Sequence, residues 1–139
     1  MPSLFRAAAL VLLSLPLAAA DGPAMVKEAI SHYDANGAMA LVKEAGSGKF
    51  HDSPAGYLVV FDETGKTIIH GVSAQYIGVN MANLKDANGK SYIKDVLAAH
   101  GKGKGRTAFT MSKGDAQVKK AMFWEVHDGV FFAWVMDET

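Results

Sequence analysis

Residues 56–70 read GYLVVFDETGKTIIH, and this stretch predicts a β-hairpin. Two runs of β-branched and aromatic residues, 57–61 and 66–70, flank the turn sequence DETG at 62–65. Every side chain of the first run is apolar or aromatic, without the alternation of a half-buried strand. A strand of that composition is covered on both faces, so we expect it to lie centrally in its sheet.

Helical patterns precede the hairpin. Apolar side chains recur every three to four residues from Ala24 until Asn36-Gly37 interrupts them, and a second helical stretch covers 38–45. The glycine-rich sequence at 46–48 predicts the end of that stretch. We therefore expect two helices, or one long bent helix, before the first strand.

The elements after the hairpin complete the prediction of the fold. Residues 71–90 have the composition of a loop, and a loop of that length in a compact domain is usually functional. A helical pattern and three runs of β-forming residues follow at 91–100, 106–111, 118–126 and 130–136. This order predicts an α+β fold with a central antiparallel sheet of about five strands, backed by helices on one face and covered by loops on the other.

Composition bounds the classes of function. The chain has 139 residues, of which 50% are hydrophobic, and its 14 Lys and Arg balance its 14 Asp and Glu. This length allows one domain of ordinary size, and the apolar content argues against disorder. A nucleic-acid-binding protein would carry a basic excess to displace the counterions of the phosphates, so we expect no nucleic-acid partner.

The first 20 residues predict an export signal. Arg6 precedes the sequence AAALVLLSLPLAAA at 7–20, which combines an apolar stretch with small residues at its end. We expect cleavage after Ala20, which leaves a single domain at 21–139 in the periplasm. A retained membrane anchor is the alternative, but the apolar run is shorter than the ~20 residues that span a bilayer, and Pro16 interrupts it.

No motif of the sequence indicates catalysis, a metal or a cofactor. The run GKGKGR at 101–106 follows a predicted helix and enters a strand, the reverse of a phosphate-binding loop, so we expect a flexible basic connection. The sequence DANG at 86–89 lacks the spacing of a calcium loop and predicts a turn. Cysteine is absent, the five histidines lack metal-ligand spacing, and no serine lies in a Gly-x-Ser-x-Gly motif. We therefore expect a protein that is not an enzyme.

A set of aromatic and histidine side chains is the remaining chemical signal. Apolar walls with a few hydrogen-bonding groups line small-molecule pockets, although buried aromatic side chains also dominate ordinary cores. The set comprises Tyr57, His70, Tyr76, Tyr92, Phe109, Trp124 and Trp134.

Several short strings occur in the order and spacing of a known family. They are ANG at 35–37, GKF at 48–50, GYLVVFDETG at 56–65, His70, IGVNM at 77–81 and LKDANGK at 84–90, followed by the helix from Tyr92. On these strings the chain resembles the single Cache domains, extracytoplasmic sensor modules with a PAS-like fold, over nearly all of residues 24–136. The resemblance implies a long N-terminal helix behind a central antiparallel sheet, and a ligand pocket between the sheet and residues 71–97.

The resemblance also implies a class of ligand and the residues that contact it. Relatives typically bind small organic acids, amino acids or similar metabolites, and report them through a transmembrane signalling module. A lysine beside tyrosine hydroxyls would suit a carboxylate, through charge-assisted hydrogen bonds. The implied ligand-binding residues are Tyr57, His70, Tyr76, Lys85, Tyr92, Phe109, Lys120 and Trp124.

Two departures from the family pattern leave two hypotheses open. The last strand carries Phe132, Trp134 and Met136 where the family commonly has small glycines and a final tyrosine, and Gly71 replaces a common proline. The leading hypothesis is an exported small-molecule sensor that signals through a separate membrane signalling or transport protein. The alternative is a structural or interaction domain, such as an accessory subunit or a homodimer, whose vestigial pocket is filled by these bulky side chains.

Overall fold

The computed structural model describes residues 21–138. Its elements are α1 (Gly22–Asn36), α2 (Ala38–Ser47), β1 (Tyr57–Asp62), β2 (Thr67–His70), α3 (Tyr92–Ala98), β3 (Lys104–Lys113), β4 (Ala116–His127) and β5 (Val130–Asp137), with short 3₁₀ helices at Ala74–Tyr76 and His100–Lys102. The predicted signal peptide at 1–20 lies outside the described residues. Within residues 21–138, no helix is both long and apolar enough to cross a membrane.

The five strands form one antiparallel sheet in the order β2-β1-β5-β4-β3. The predicted α+β fold is therefore confirmed. β1 lies between β2 and β5, as its uninterrupted apolar sequence predicts, and its four middle residues at 58–61 are buried. β5 is the central strand, and its residues 131–135 are buried as well.

Side chains of β1 and β5 alternate between two cores, because successive residues of a strand point to opposite faces of the sheet. On one face, α1 and α2 cover the helix-side core of Val26, Ala29, Ile30, Leu41, Ala45, Phe50, Leu58, Val60, Ile69, Phe132 and Trp134. On the other face, the long loop and α3 cover the cavity-side core of Val59, Phe61, Met81, Ile93, Val96, Phe109, Met122, Trp124, Phe131, Ala133 and Val135.

The two leading helices are separate; α1 begins two residues earlier than predicted, and α2 begins at the predicted residue and ends two residues later. Asp21 is the N-cap of α1, and its Oδ1 accepts a hydrogen bond from the backbone N–H of Ala24 at 3.2 Å. Gly37, with a φ of 88°, lies between α1 and α2 in a conformation that favours glycine. The chain therefore has two helices and not one bent helix.

The hairpin of β3 and β4 is longer than predicted. β3 begins at Lys104, inside the glycine and lysine run that was expected to be a flexible connection, because residues 104–113 pair continuously with 116–125. Gly105 lies opposite Trp124 in this pairing, and a Cβ at Gly105 would be only 2.7 Å from Cζ2 of the indole. The glycine thus allows the large side chain of the partner strand to lie across β3.

Candidate functional site

A cavity of about 300 Å³ lies between the sheet, residues 72–84 of the long loop and the start of α3. Ten of the fourteen side chains that line it are apolar, and the other four are those of Tyr57, His70, Tyr76 and Tyr92. Apolar walls with a few polar groups are the composition of a small-molecule site, and the volume is at the lower end of the range for such sites.

Five of the eight implied ligand-binding residues line this cavity, and their rings form two groups. His70 packs against both Tyr57 and Tyr76, with ring centroids 5.6 Å and 4.5 Å away. Tyr92 lies nearly parallel to Phe109, with centroids 4.1 Å apart. These residues come from β1, the end of β2, the first 3₁₀ helix, α3 and β3, so the fold brings together positions that are distant in sequence.

His70 is neutral at physiological pH and offers a hydrogen-bond donor. Burial lowers the pKa of His70 to about 4, although the carboxylate of Asp52 acts in the opposite direction. Nδ1 of the ring accepts a hydrogen bond from the backbone N–H of Val72 at 3.2 Å. Because a neutral imidazole with an accepting Nδ1 carries its proton on Nε2, the Nε2–H group is the donor.

Two tyrosines that line the cavity, Tyr57 and Tyr92, keep their protons. Burial raises the pKa of Tyr57, and the neighbouring Tyr92 and Asp52 raise it further. Burial also raises the pKa of Tyr92, with a smaller contribution from Asp86. Within residues 21–138, the hydroxyls of Tyr57, Tyr76 and Tyr92 make no hydrogen bond, so each can donate to and accept from a ligand.

Hydrogen bonds hold the loop over the cavity against the sheet at two places. In its middle, the N–H of Gly78 donates to the carbonyl of Thr67 on β2 at 2.8 Å. Near its end, Asp86 accepts hydrogen bonds from the backbone N–H groups of Asn88 and Lys90, and from that of Thr110 on β3 at 2.9 Å. The predicted turn at 86–89 is present, and it holds the loop against the strand that carries Phe109.

The two lysines implied as ligand contacts do not line the cavity. Lys120 faces Asp137 directly across β4 and β5, and its Nζ forms an ion pair with that carboxylate in a polar depression that shares Tyr57 with the cavity. Lys85 is exposed and lines an adjoining surface depression that shares Tyr92 and Phe109 with the cavity. The positive charge expected beside the tyrosines is therefore not among the lining groups.

The tryptophans and the bulky residues of β5 lie in the cores, outside the cavity. Trp124 packs against Phe131, with ring centroids 5.6 Å apart, and is buried in the cavity-side core. Phe132 and Trp134 point into the helix-side core, where the indole N–H of Trp134 donates to the carbonyl of Ala55 at 3.2 Å. Strand alternation turns both large side chains away from the cavity, so the expectation that they fill it is wrong.

An apolar rim around the cavity was not predicted from the sequence. Val72, Val79, Leu84 and Met111 line the cavity and are each 38–44% exposed, so they reach from the interior to the surface. Three of them lie in the long loop, whose apolar residues have no regular spacing. The available signal was the presence of large apolar side chains in a segment that otherwise has the composition of a surface loop.

One group of side chains has the donor types of a metal site. Within residues 21–138, Asp34, His127 and Asp128 have ligand atoms within 4.8 Å of one another. Nε2 of His127 lies 2.8 Å from Oδ1 of Asp34 and 3.9 Å from Oδ2 of Asp128. The group joins the end of α1 to the β4–β5 turn, and a hydrogen bond between the histidine and Asp34 accounts for its geometry.

Comparisons with solved structures show that the fold is similar to that of known sensor domains. A Cache chemosensory domain studied for carboxylic acid recognition has a TM-score of 0.66 and 18% identity, covering 99% of this chain and 98% of that one. A methyl-accepting chemotaxis protein of Vibrio parahaemolyticus has a TM-score of 0.65 and 17% identity, covering 84% and 85%. The periplasmic sensor domain of a chemotaxis protein has a TM-score of 0.62 and 16% identity, covering 84% and 87%.

Comparisons of sequence identify the family. No curated protein matches the chain. The family model of Single Cache domain 2 matches residues 20–134, which include every helix of the described chain and all but the last residues of β5. The match and the fold agree with the resemblance drawn from the short sequence strings, and the chain belongs to the family of single Cache domains.

Proposed function

We propose that the chain is an extracytoplasmic sensor module that binds a small organic molecule in the 300 Å³ cavity. The observation that supports this most directly is the set of unengaged hydrogen-bonding groups there, three tyrosine hydroxyls and Nε2–H of His70, on walls that are otherwise apolar. Apolar walls bind the body of a ligand, and a few polar groups fix its orientation. Ligand binding without catalysis is typical of the family.

The ligand expected from the resemblance is a small organic acid or similar metabolite. Carboxylic acid recognition is described for one Cache domain of similar fold. In this chain, a carboxylate would have to be held by the hydroxyls and His70 alone, because Lys85 and Lys120 do not line the cavity. The chemistry of the cavity therefore bears directly on the class of ligand.

The signal would pass to a separate membrane signalling or transport protein. The family supports this proposal, since similar folds occur in the sensor domains of chemotaxis proteins. Export is part of the same proposal, with cleavage after Ala20. Asp21, the first residue that would remain, is the N-cap of α1, so cleavage there would leave the first helix complete. Mass spectrometry of the exported protein should find Asp21 as its first residue.

Thermal unfolding in the presence of small molecules tests the binding proposal. A ligand that binds only the native state raises the free energy of unfolding by RT ln(1 + [L]/Kd). At a concentration of about 100 times its Kd, it contributes about 2.7 kcal/mol. We expect a panel of small acids, alcohols, amines and amino acids to contain compounds that raise the unfolding midpoint by several degrees. A panel without any such compound would contradict the proposal.

A pair of variants places the binding in the cavity. Tyr57→Phe removes one hydroxyl from the cavity without changing the shape of the ring, and we expect it to weaken binding of a ligand found in the panel about tenfold. Tyr33→Phe is the matched control, because Tyr33 packs against Phe132 on the helix side of the sheet. Equal affinities of the two variants, measured by isothermal titration calorimetry, would place the ligand elsewhere.

A further inference from the structure

We propose that the cavity selects an uncharged, mostly apolar molecule with one or two hydrogen-bonding groups, in preference to a carboxylate or an ammonium ion of the same size. This inference rests on the proposed function, because it assumes that the cavity is the ligand site. It departs from the organic acid that the resemblance implies. It depends on the lining groups, on the charges nearest to them and on the way in which the aromatic rings are paired.

No charged side chain lines the cavity among residues 21–138. The polar groups are the three tyrosine hydroxyls and the ring of His70; burial raises the pKa of Tyr57 and Tyr92 and keeps His70 neutral. Removing an ion from water costs several kcal/mol unless a counter-charge or several strong hydrogen bonds replace the water. A hydroxyl, carbonyl or ring N–H group avoids that cost, and the lining groups can satisfy it directly.

The charges nearest to the cavity disfavour an anion. The ammonium group of Lys120 is neutralised by Asp137, and that of Lys85 lies in the exposed adjoining depression. The carboxylates of Asp52 and Asp86 act through space on Tyr57, His70 and Tyr92, which line the cavity. A carboxylate that entered the cavity would therefore meet these two carboxylates without a lining cation to compensate, among residues 21–138.

The aromatic rings do not form a cage for a cation. A cation binds to the open face of an aromatic ring. Here Tyr57 is stacked on His70, Tyr76 is tilted against the same imidazole, and Tyr92 is stacked on Phe109, so each ring has a face that another ring covers. No carboxylate lines the cavity within the described chain to take the place of such a cage. An ammonium ion would thus meet fewer open ring faces than in an aromatic cage, and no lining counter-charge within residues 21–138.

Three probes of nearly equal size separate these possibilities. Benzyl alcohol, benzoate and benzylamine each consist of one ring and one polar group, and at pH 7.5 they are neutral, anionic and cationic. Isothermal titration calorimetry of the wild-type protein should give an affinity for benzyl alcohol at least about tenfold higher than for the other two. A matched set of butanol, butyrate and butylamine should give the same order.

The outcomes distinguish the selectivity from the binding proposal itself. A higher or equal affinity for benzoate or butyrate would overturn the selectivity and leave ligand binding intact, and so would a preference for the amines. If Lys85→Met then abolished an observed preference for acids, the exposed lysine would be shown to reach the ligand. Failure of all six probes, together with failure of the wider panel, would contradict the binding proposal.

A charge placed on the rim tests the electrostatic argument by gain of function. Met111 lines the cavity from β3 and is 40% exposed, so Met111→Arg can fold while it brings a cation to the site. We expect this variant to bind benzoate at least tenfold more tightly than the wild type does. Met39→Arg is the matched control, since Met39 is 80% exposed and lies on α2 behind the sheet. Unchanged benzoate affinity in a folded Met111→Arg variant would contradict the argument.

Discussion

His70 makes the stability of the folded protein depend on pH. Because its pKa is about 4 in the folded protein and near 6.5 in an unfolded chain, protonation favours the unfolded state. Stability from this group is fully present above pH 6.5, declines as the pH falls and stops changing near pH 4. After allowance for the partial exposure of the ring, we expect a loss of about 1 kcal/mol between pH 7 and pH 5.

Urea unfolding at pH 7 and pH 5 checks this prediction. His70→Gln should reduce the difference in free energy of unfolding between the two pH values by about 1 kcal/mol. His100→Gln is the control, since His100 is exposed and lies away from the cavity, after α3. An unchanged pH dependence in the His70 variant would show that the ring is not desolvated in the folded protein.

The close approach of β5 leaves no room for a side chain at Gly56. Its φ is 130°, and a Cβ at this position would lie 2.4 Å from the carbonyl oxygen of Val135 and 2.6 Å from Nε1 of Trp134. We expect Gly56→Ala to lower the free energy of unfolding by about 2 kcal/mol or more. Gly101→Ala, with open space around its Cβ and no positive φ, should change it by less than about 0.5 kcal/mol. Denaturant titrations measure the free energy of unfolding of both variants. Equal values would show that the surrounding structure shifts to relieve the clash at position 56.

The aromatic part of the site could be predicted from the sequence, but the charged part could not. Tyr57, His70 and Tyr92 were implied by their positions beside recognisable strings, and the fold places them around one cavity. Whether the ammonium group of a lysine is free to contact a ligand depends on which residue lies opposite that lysine in the sheet. The register of β4 and β5 sets Asp137 against Lys120, and neither hydrophobic pattern nor residue type indicates that pairing.

At the scale of the elements, the side chain of Asp86 holds the end of the long loop against β3. Asp86 accepts hydrogen bonds from the backbone N–H groups of Lys90, Thr110 and Asn88, and the first two contribute most to lowering its pKa. We expect Asp86→Ala to free residues 84–92 from β3 and to speed their amide hydrogen exchange by about tenfold or more. Because Tyr92 and Leu84 line the cavity, ligand affinity should fall as well.

Hydrogen exchange followed by mass spectrometry measures the effect on the loop. Asp115→Ala is the control, since Asp115 lies in the exposed turn between β3 and β4. Faster exchange confined to peptides that cover 84–92 is the expected result. If those peptides exchanged at the wild-type rate in the Asp86 variant, contacts other than the carboxylate would hold the loop.

Element order was predictable, whereas some element lengths were not. The runs at 57–61 and 130–136 locate β1 and β5 within one residue, because strongly apolar strands are buried on both faces. The exposed parts of β3 and β4 carry glycine and lysine, whose intrinsic preference for strands is low. Pairing with a partner strand outweighs that preference, and pairing is a property of the folded sheet.

The whole molecule contains one tryptophan in each core, which allows its cooperativity to be tested. Trp134 lies in the helix-side core and Trp124 in the cavity-side core, and β1 and β5 contribute side chains to both. Because the cores share these strands, we expect them to unfold in a single transition. In Trp134→Phe and in Trp124→Phe, the fluorescence of the remaining tryptophan should have the same urea midpoint as the far-ultraviolet circular dichroism. Separate midpoints in either variant would show that one layer unfolds without the other.

Because β5 lies at the centre of the sheet, a single layer of strands separates the cavity from the helix-side core. Val135 touches the cavity, while the adjacent Trp134 belongs to the layer that α1 and α2 cover. A packed layer of side chains is only about 10 Å thick, so the outer surface of α1 is within about two such layers of any occupant of the cavity. A protein docked on that surface would be separated from the occupant by one sheet and one helix.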